Sequence, residues 1–431
     1  MSIGIVFVVF AVALFLGIPI AVSVGAAALT ASIANPALPA KAVFVFRNMI
    51  TALDVYSLLA VPMFILSGVI MARGGISKKI FDFFAYFIGN KTAGLPITVI
   101  VTCLFYGAIS GSGPATVAAI GAMSIPLLVK LGYDRQFTTA MVAVAGGLGV
   151  IIPPSIPFIM YGLSANESVG SLFIAGVVPG ILIGMCLMVY AYYYCRTRGE
   201  DKIKLLENYD QLRAKGFLTI FRESFFALLT PVIILGGIYG GIVTPTEAAA
   251  ISVIYALLIS VVIYRSFGVS DIPGALRETA RTAAPVMLVV STATVFGRVL
   301  TMMQAPQAIA TVITSNFDSQ VSLLLVINLF LLFVGMIMDT TPAILILVPI
   351  FLPIVTAFGV HPIHFGVIMV VNLAIGFVTP PIGVNLFVAS SMTGIPVLTI
   401  ARRAVPFIAA FLVSLVFITF VPKISLVLLG G

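Results

Sequence analysis

The feature that most constrains this chain is a pair of interrupted apolar segments that occurs twice. Gly107-Ala-Ile-Ser-Gly-Ser-Gly-Pro-Ala115 and Gly335-Met-Ile-Met-Asp-Thr-Thr-Pro-Ala343 carry Gly, Ile, Pro and Ala at matching places, 228 residues apart. Each is followed by a proline pair, in Gly149-Val-Ile-Ile-Pro-Pro154 and Gly376-Phe-Val-Thr-Pro-Pro381, at an offset of 227. Pro126 with Pro353, Gly132 with Gly359 and Pro179 with Pro406 keep the 227 offset, which predicts a single-residue shift between 114 and 126. The chain is 61% hydrophobic and only 8% charged, whereas soluble domains carry roughly 25% charged residues. Its apolar stretches reach the ~20 residues a helix needs to cross a bilayer core and lack the alternation of outer-membrane strands. The expected fold is an all-α polytopic membrane protein.

Spans are predicted at about 3–34 (closed by Asn35-Pro36), 54–72, 171–195, 217–240, 245–264, 283–303 and 404–428. Around each small-residue tip the arms hold about 15 residues, or ~22 Å, too short to cross comfortably. Re-entrant hairpins are therefore expected at about 95–130 and 321–357. Broken helices are expected at about 137–164 and 364–391, where each proline pair removes two amide donors and clashes with the preceding turn. Arg73, Lys78 and Lys79 open an amphipathic segment suited to the interface, and Arg265 to Arg281 form a second charged amphipathic piece. The N-terminal stretch has no basic residue before Lys41 and reads as a first membrane helix, not a signal peptide.

The organisation that follows is an inverted repeat. Residues 1–195 form the first copy, 196–216 a basic cytoplasmic linker, 217–240 an additional helix that flips orientation, and 241–431 the second copy. Charge sets the inversion. Lys130 and Arg135 flank Gly132, while the loop around Gly359 carries only His361 and His364; Arg402 and Arg403 align with Ala175 and Gly176. Basic residues at opposite ends of equivalent elements satisfy the positive-inside rule only if the copies are upside down. Nine crossings would then place the N-terminus in the cytoplasm and the C-terminus outside.

Inverted repeats with discontinuous helices characterise secondary transporters, whose sites lie near mid-membrane. Non-helical backbone there survives only if buried or lining a cavity; its carbonyls can ligate a cation such as Na⁺. The first expected ion site combines Ser110, Gly111, Ser112 and Gly113 with Gly149, Ile152 and Pro153. The second combines Asp339, Thr340 and Thr341 with Gly376, Thr379 and Pro380. Substrate is expected against Ser112, Pro154, Ser155, Thr341 and Asn385, with Asn372 hydrogen-bonding between helices. The alternative for the small residues is close helix packing. Thr244-Pro-Thr-Glu247 reads as a capping box, and Asp54 as a span entrance. The three cysteines, Cys103, Cys186 and Cys195, suggest no disulfide framework, and the HxxH of His361 and His364 is weak as a metal motif. The net charge of +8 fits cytoplasmic loops and anionic lipid, with no nucleic acid partner. No organic cofactor and no enzymatic constellation is expected.

Leu58-Leu-Ala-Val-Pro-Met-Phe64 with Ser67-Gly68, the first tip, Gly146-Gly-Leu-Gly-Val-Ile-Ile-Pro-Pro-Ser155, Thr244-Pro-Thr-Glu-Ala-Ala249, Asp339-Thr-Thr-Pro342 and Thr379-Pro-Pro-Ile-Gly-Val-Asn385 run in order along nearly the whole chain. In these segments the sequence resembles the large membrane subunit of tripartite ATP-independent periplasmic (TRAP) transporters. The resemblance implies Na⁺-driven uptake of an organic acid across the bacterial inner membrane by an elevator motion. It also implies two partners, a periplasmic substrate-binding protein and a small four-helix membrane subunit, the latter separate because nothing precedes Met1. Family substrates include C4-dicarboxylates, sialic acid, other sugar acids and keto acids; overall likeness leans to sialic acid. The competing readings are a stand-alone Na⁺-coupled anion carrier of the same architecture, a membrane-embedded enzyme and a structural scaffold subunit.

Overall fold

The computed structural model describes residues 2–34, 38, 41–314, 317 and 319–430, so the expected boundary at Asn35-Pro36 lies outside the described residues. All regular secondary structure among those residues is helical. It opens with α1 (Ser2–Phe15) and α2 (Ile20–Ala34), then α3 (Ala42–Thr51), α4 (Ala60–Arg73) and the amphipathic α5 (Ile76–Ile88). The first hairpin is α6 (Gly94–Ser110) and α7 (Gly113–Lys130); the first broken helix is α8 (Arg135–Ala145) and α9 (Ile156–Ala165); α10 (Val169–Arg198) closes the half. After α11 (Lys202–Ala214) come α12 (Phe217–Tyr239), α13 (Pro245–Leu257), α14 (Ile272–Met302) and α15 (Ala305–Thr314). The second hairpin is α16 (Gln320–Ile337) and α17 (Thr340–Ala357), the second broken helix α18 (Pro362–Gly376) and α19 (Val384–Thr393), and α20 (Val397–Phe420) is the last long helix.

Element bounds sharpen the repeat. Ser110 ends α6 and Ile337 ends α16; Gly113 and Thr340 start α7 and α17; Arg135 and Pro362 start α8 and α18. All three correspondences stand at 227. The expected single-residue shift is therefore corrected: Ser112 and Asp339 are the equivalent residues, each the N-cap of a returning arm. Shared Gly and Pro letters suggested 228, but helix ends follow cap geometry, and a one-residue drift of Pro within the first turn is tolerated.

The first span is also corrected. Gly17, with φ +77°, and Pro19, which lacks an amide donor, turn the chain back between α1 and α2, which pack on each other. α12 packs on both α5 and α13. Nine helices among the described residues are long and apolar enough to cross a membrane. Three of them, α7, α16 and α17, are arms of the expected hairpins. The amphipathic piece 265–281 is likewise not separate from the crossing that follows, since α14 runs unbroken from Ile272.

Packing between the halves is reciprocal. α4 lies on α13 and α2 on α14; α9 lies on α17 and α19 on α7; α10 lies on α18 and α20 on α8. Of the 22 Lys and Arg residues, all but Lys41, Arg47, Arg298 and Lys423 fall toward the end where α4, α7 and α10 finish and α8, α12 and α20 begin. At that end the linker is structured. Asp201 caps α11, which packs on α5, and Glu200 accepts hydrogen bonds from the Ala93 amide and the Tyr133 hydroxyl. The basic linker thus clamps the entry to the first hairpin.

Candidate functional site

The two hairpin tips meet at a cavity of 430 Å³. Ser110, Gly111, Ser112 and Pro114 line it from one tip and Asp339, Thr340 and Thr341 from the other. Phe377 contributes from the second break, Val150 and Ile156 from the first, and Val69, Ala72, Glu278 and Thr282 from α4 and α14. The cavity therefore lies between the paired hairpins and the α4–α14 pair.

Each tip is tied to the break in its own half. Gly111, at φ +61°, is close enough to Pro154 that a Cβ there would lie 2.8 Å from the proline carbonyl oxygen, and its own carbonyl accepts from the Ile156 amide at 3.3 Å. In the second half the Ile382 amide donates to the Met336 carbonyl at 3.2 Å. Paired glycines make the approach possible. A Cβ on Gly107 would sit 2.9 Å from Gly149 Cα, and one on Gly376 would sit 2.3 Å from the carbonyl carbon and oxygen of Gly335.

In the first tip, Ser110 Oγ lies 3.0 Å from Thr116 Oγ1, and Thr116 Oγ1 donates to the Ser112 carbonyl at 2.8 Å. A Cβ on Gly149 would fall 2.3 Å from Thr116 Oγ1 and 2.7 Å from the Ser112 carbonyl oxygen. Ser110, Ser112, Gly149 and Thr116 thus converge as neutral oxygens and small backbone, a donor set that suits a hard monovalent cation. Sequence reasoning missed Thr116; its signal was a hydroxyl one helical turn beyond the Ser112 cap. Gly113 starts α7 against the Phe377 ring and Asn385. Ile152 packs on α10, where a Cβ on Gly180 would meet its Cδ1 at 2.3 Å, and Pro153 is buried with a cis bond to Pro154.

In the second tip, Asp339 caps α17: its Oδ1 accepts from the Thr340 amide at 2.7 Å and lies 3.3 Å from Thr340 Oγ1. The residue is nonetheless exposed, because it opens onto the cavity. Thr341 is beside it on the wall. Thr379 and Pro380 stand in the second break, and Thr379 turns its hydroxyl back to the Ile375 carbonyl at 2.8 Å. Pro380 carries a cis bond to Pro381.

Three residues expected against substrate stand elsewhere in this structure. Ser155 is fully buried and caps α9, donating to the Val150 carbonyl and accepting from the Phe158 amide. Pro154 is buried against Gly111. Asn385 is fully buried and donates to the Ala143 carbonyl at 3.0 Å, one of the acceptors left free where α8 ends. None of the three is on the cavity wall. Tertiary demands for caps and partners have claimed polar groups that a linear reading assigns to solvent.

Asn372 pairs with Asn328 of α16 at 2.7 Å, and Asn328 in turn reaches Thr419 at 3.3 Å. A double-mutant cycle on Asn328 and Asn372 should return a coupling near ~0.6 kcal/mol, the average for such bonds in membranes; zero coupling would show the pair is not formed. Thr244 and Glu247 complete a capping box. His361 caps α18 while His364 bonds Ser425 and Thr419, and no group of three or more His, Cys, Asp and Glu side chains able to hold a metal occurs among the described residues.

An all-helical chain with two hairpins, two broken helices and a cavity where the tips meet has the architecture of a secondary membrane transporter. Residues 7–424 match the family described as the tripartite ATP-independent periplasmic transporter, DctM component, and the chain belongs to that family. It is 44% identical over 422 residues to the isethionate TRAP transporter permease protein DctMQ of Oleidesulfovibrio alaskensis, covering 98% of this chain and 65% of that longer protein. It is 43% identical over 373 residues to the C4-dicarboxylate TRAP transporter large permease protein DctM of Pseudomonas aeruginosa, 86% of each chain. Identity is 37% over 385 residues to the sialic acid TRAP transporter large permease protein SiaM of Vibrio cholerae, 89% of each. The solved YdaH transporter of Alcanivorax borkumensis shares the fold at TM-score 0.63, with 13% identity and 87% of each chain covered.

Proposed function

We propose that this chain is the transport subunit of a Na⁺-coupled uptake system for a small organic anion in the bacterial inner membrane. The observation that carries the reading is the cavity shared by two equivalent tips, one rich in neutral oxygens and the other bearing Asp339. Na⁺ bound at each tip would supply the positive charge an anion needs in a cavity whose wall carries carboxylates, Glu278 and Asp339, but no cation. A periplasmic binding protein delivers the substrate and a small membrane subunit braces α1–α4 and α12–α14. The hairpins and broken helices move past this frame as an elevator.

The halves are inverted. Basic residues at opposite ends of equivalent elements support this. The basic end is cytoplasmic by the positive-inside rule, and the start of α1 and the end of α20 are periplasmic. Substrate identity follows the relatives. Those at 44% and 43% identity are named for isethionate and C4-dicarboxylates, and the sialic acid relative stands at 37%. We therefore place a short sulfonate or dicarboxylate ahead of sialic acid.

Reconstitution tests this. With a matched binding protein and small subunit, an inward Na⁺ gradient should raise uptake at least tenfold over a K⁺ control, and the chain alone should stay at background. Full-rate uptake by the chain alone would favour a stand-alone carrier; no Na⁺ response would remove the coupling.

A further inference from the structure

A second cavity of 430 Å³ lies away from the tips, between the last turns of α7 and the end of α19. Gly121, Ala122, Ile125, Pro126 and Val129 form one wall, Met392 part of the other, and Arg135 stands at its edge. The Arg135 guanidinium donates through Nη2 to the Thr393 carbonyl, capping the negative end of α19. That bond uses one nitrogen of a group with five N–H donors in a fork that fits phosphate.

The surroundings are cationic. Lys130 ends α7, Arg402 and Arg403 lie in the first turns of α20, and Arg403 Nε reaches Gln136 Oε1 at 3.1 Å, beside Arg135. None of these four cations forms an ion pair among the described residues. Asp134 is committed to capping α8 through the Phe137 amide. Helix ends mark this as the level of the membrane–water boundary, and the basic excess marks it as the anionic-lipid side.

We propose that this groove binds one anionic phospholipid, its phosphate on Arg135 and Lys130 and an acyl chain along Ala122, Pro126 and Val129. An apolar wall of about two and a half helical turns suits an acyl chain and would be idle for a small soluble anion. The lipid would seat on the hairpin and broken helix themselves and travel with them.

Native mass spectrometry of the full chain, delipidated and titrated with phosphatidylglycerol or phosphatidylcholine of identical chains, tests the site. One tightly held phosphatidylglycerol per chain is expected, with phosphatidylcholine bound at least tenfold more weakly. Arg135→Gln should remove the preference, and Arg222→Gln, at the same end on α12, should not. Ala122→Phe fills the groove while leaving the Arg135–Thr393 bond, and should also expel the lipid. Equal binding of both lipids, equal loss in Arg222→Gln, retention in Ala122→Phe, or displacement by soluble glycerol phosphate would each overturn the proposal.

Discussion

Gly376→Ala is expected to destabilise the protein by about 3 kcal/mol, the upper end of what overpacking ordinarily costs. The added carbon would lie 2.3 Å from the carbonyl carbon and oxygen of Gly335 and 2.6 Å from its Cα. These are backbone atoms of a packed helix, so no side chain can swing away to relieve the clash. The reciprocal change provides the control. A Cβ on Gly335 meets nothing closer than 3.3 Å, so Gly335→Ala should cost much less. Thermal unfolding in detergent decides between them: similar melting temperatures for the two variants would mean that α16 and α18 do not approach so closely at this point. Loss of transport should accompany the loss of stability, because the same contact positions the second tip against its break.

Asp339→Asn is expected to reduce Na⁺-driven uptake at least tenfold, about 1.4 kcal/mol or more, with expression unchanged. Asparagine caps a helix about as well as aspartate, so the substitution removes the charge while keeping the start of α17. Apparent Na⁺ affinity should fall more than substrate affinity. Ser112→Ala should be milder, because Thr116 engages the Ser112 carbonyl, which alanine retains. Unchanged Na⁺ dependence in Asp339→Asn would exclude this carboxylate from coupling.

The hairpins and breaks were legible because they are written in residues with local conformational consequences. Gly111 requires positive φ, and each proline pair interrupts a helix by itself. Helix pairs stand at Gly94–Lys130 and Gln320–Ala357, where hairpins are expected at about 95–130 and 321–357. The turn between α1 and α2 was hidden because Gly17-Ile18-Pro19 is flanked by equally apolar sequence, leaving no composition change to mark it. α14 was split in the reading because its first turns carry Arg277, Glu278 and Arg281, yet these lie on exposed faces of one continuous helix. The site was legible at the level of segments and not of atoms. Ser155 and Asn385 looked available until α9 needed a cap and the end of α8 needed a donor, requirements that arise only when the helices are assembled.

The crossed packing of α9 on α17 and α19 on α7 means that neither half is a self-sufficient module. Each hands the second piece of its broken helix to its neighbour and receives the neighbour's in return, as two exchanging protomers would. Two separate polypeptides joined this way would depend on concentration to stay together. Here the clamped linker makes the union covalent, so the halves remain in one-to-one ratio however dilute the protein is in its membrane.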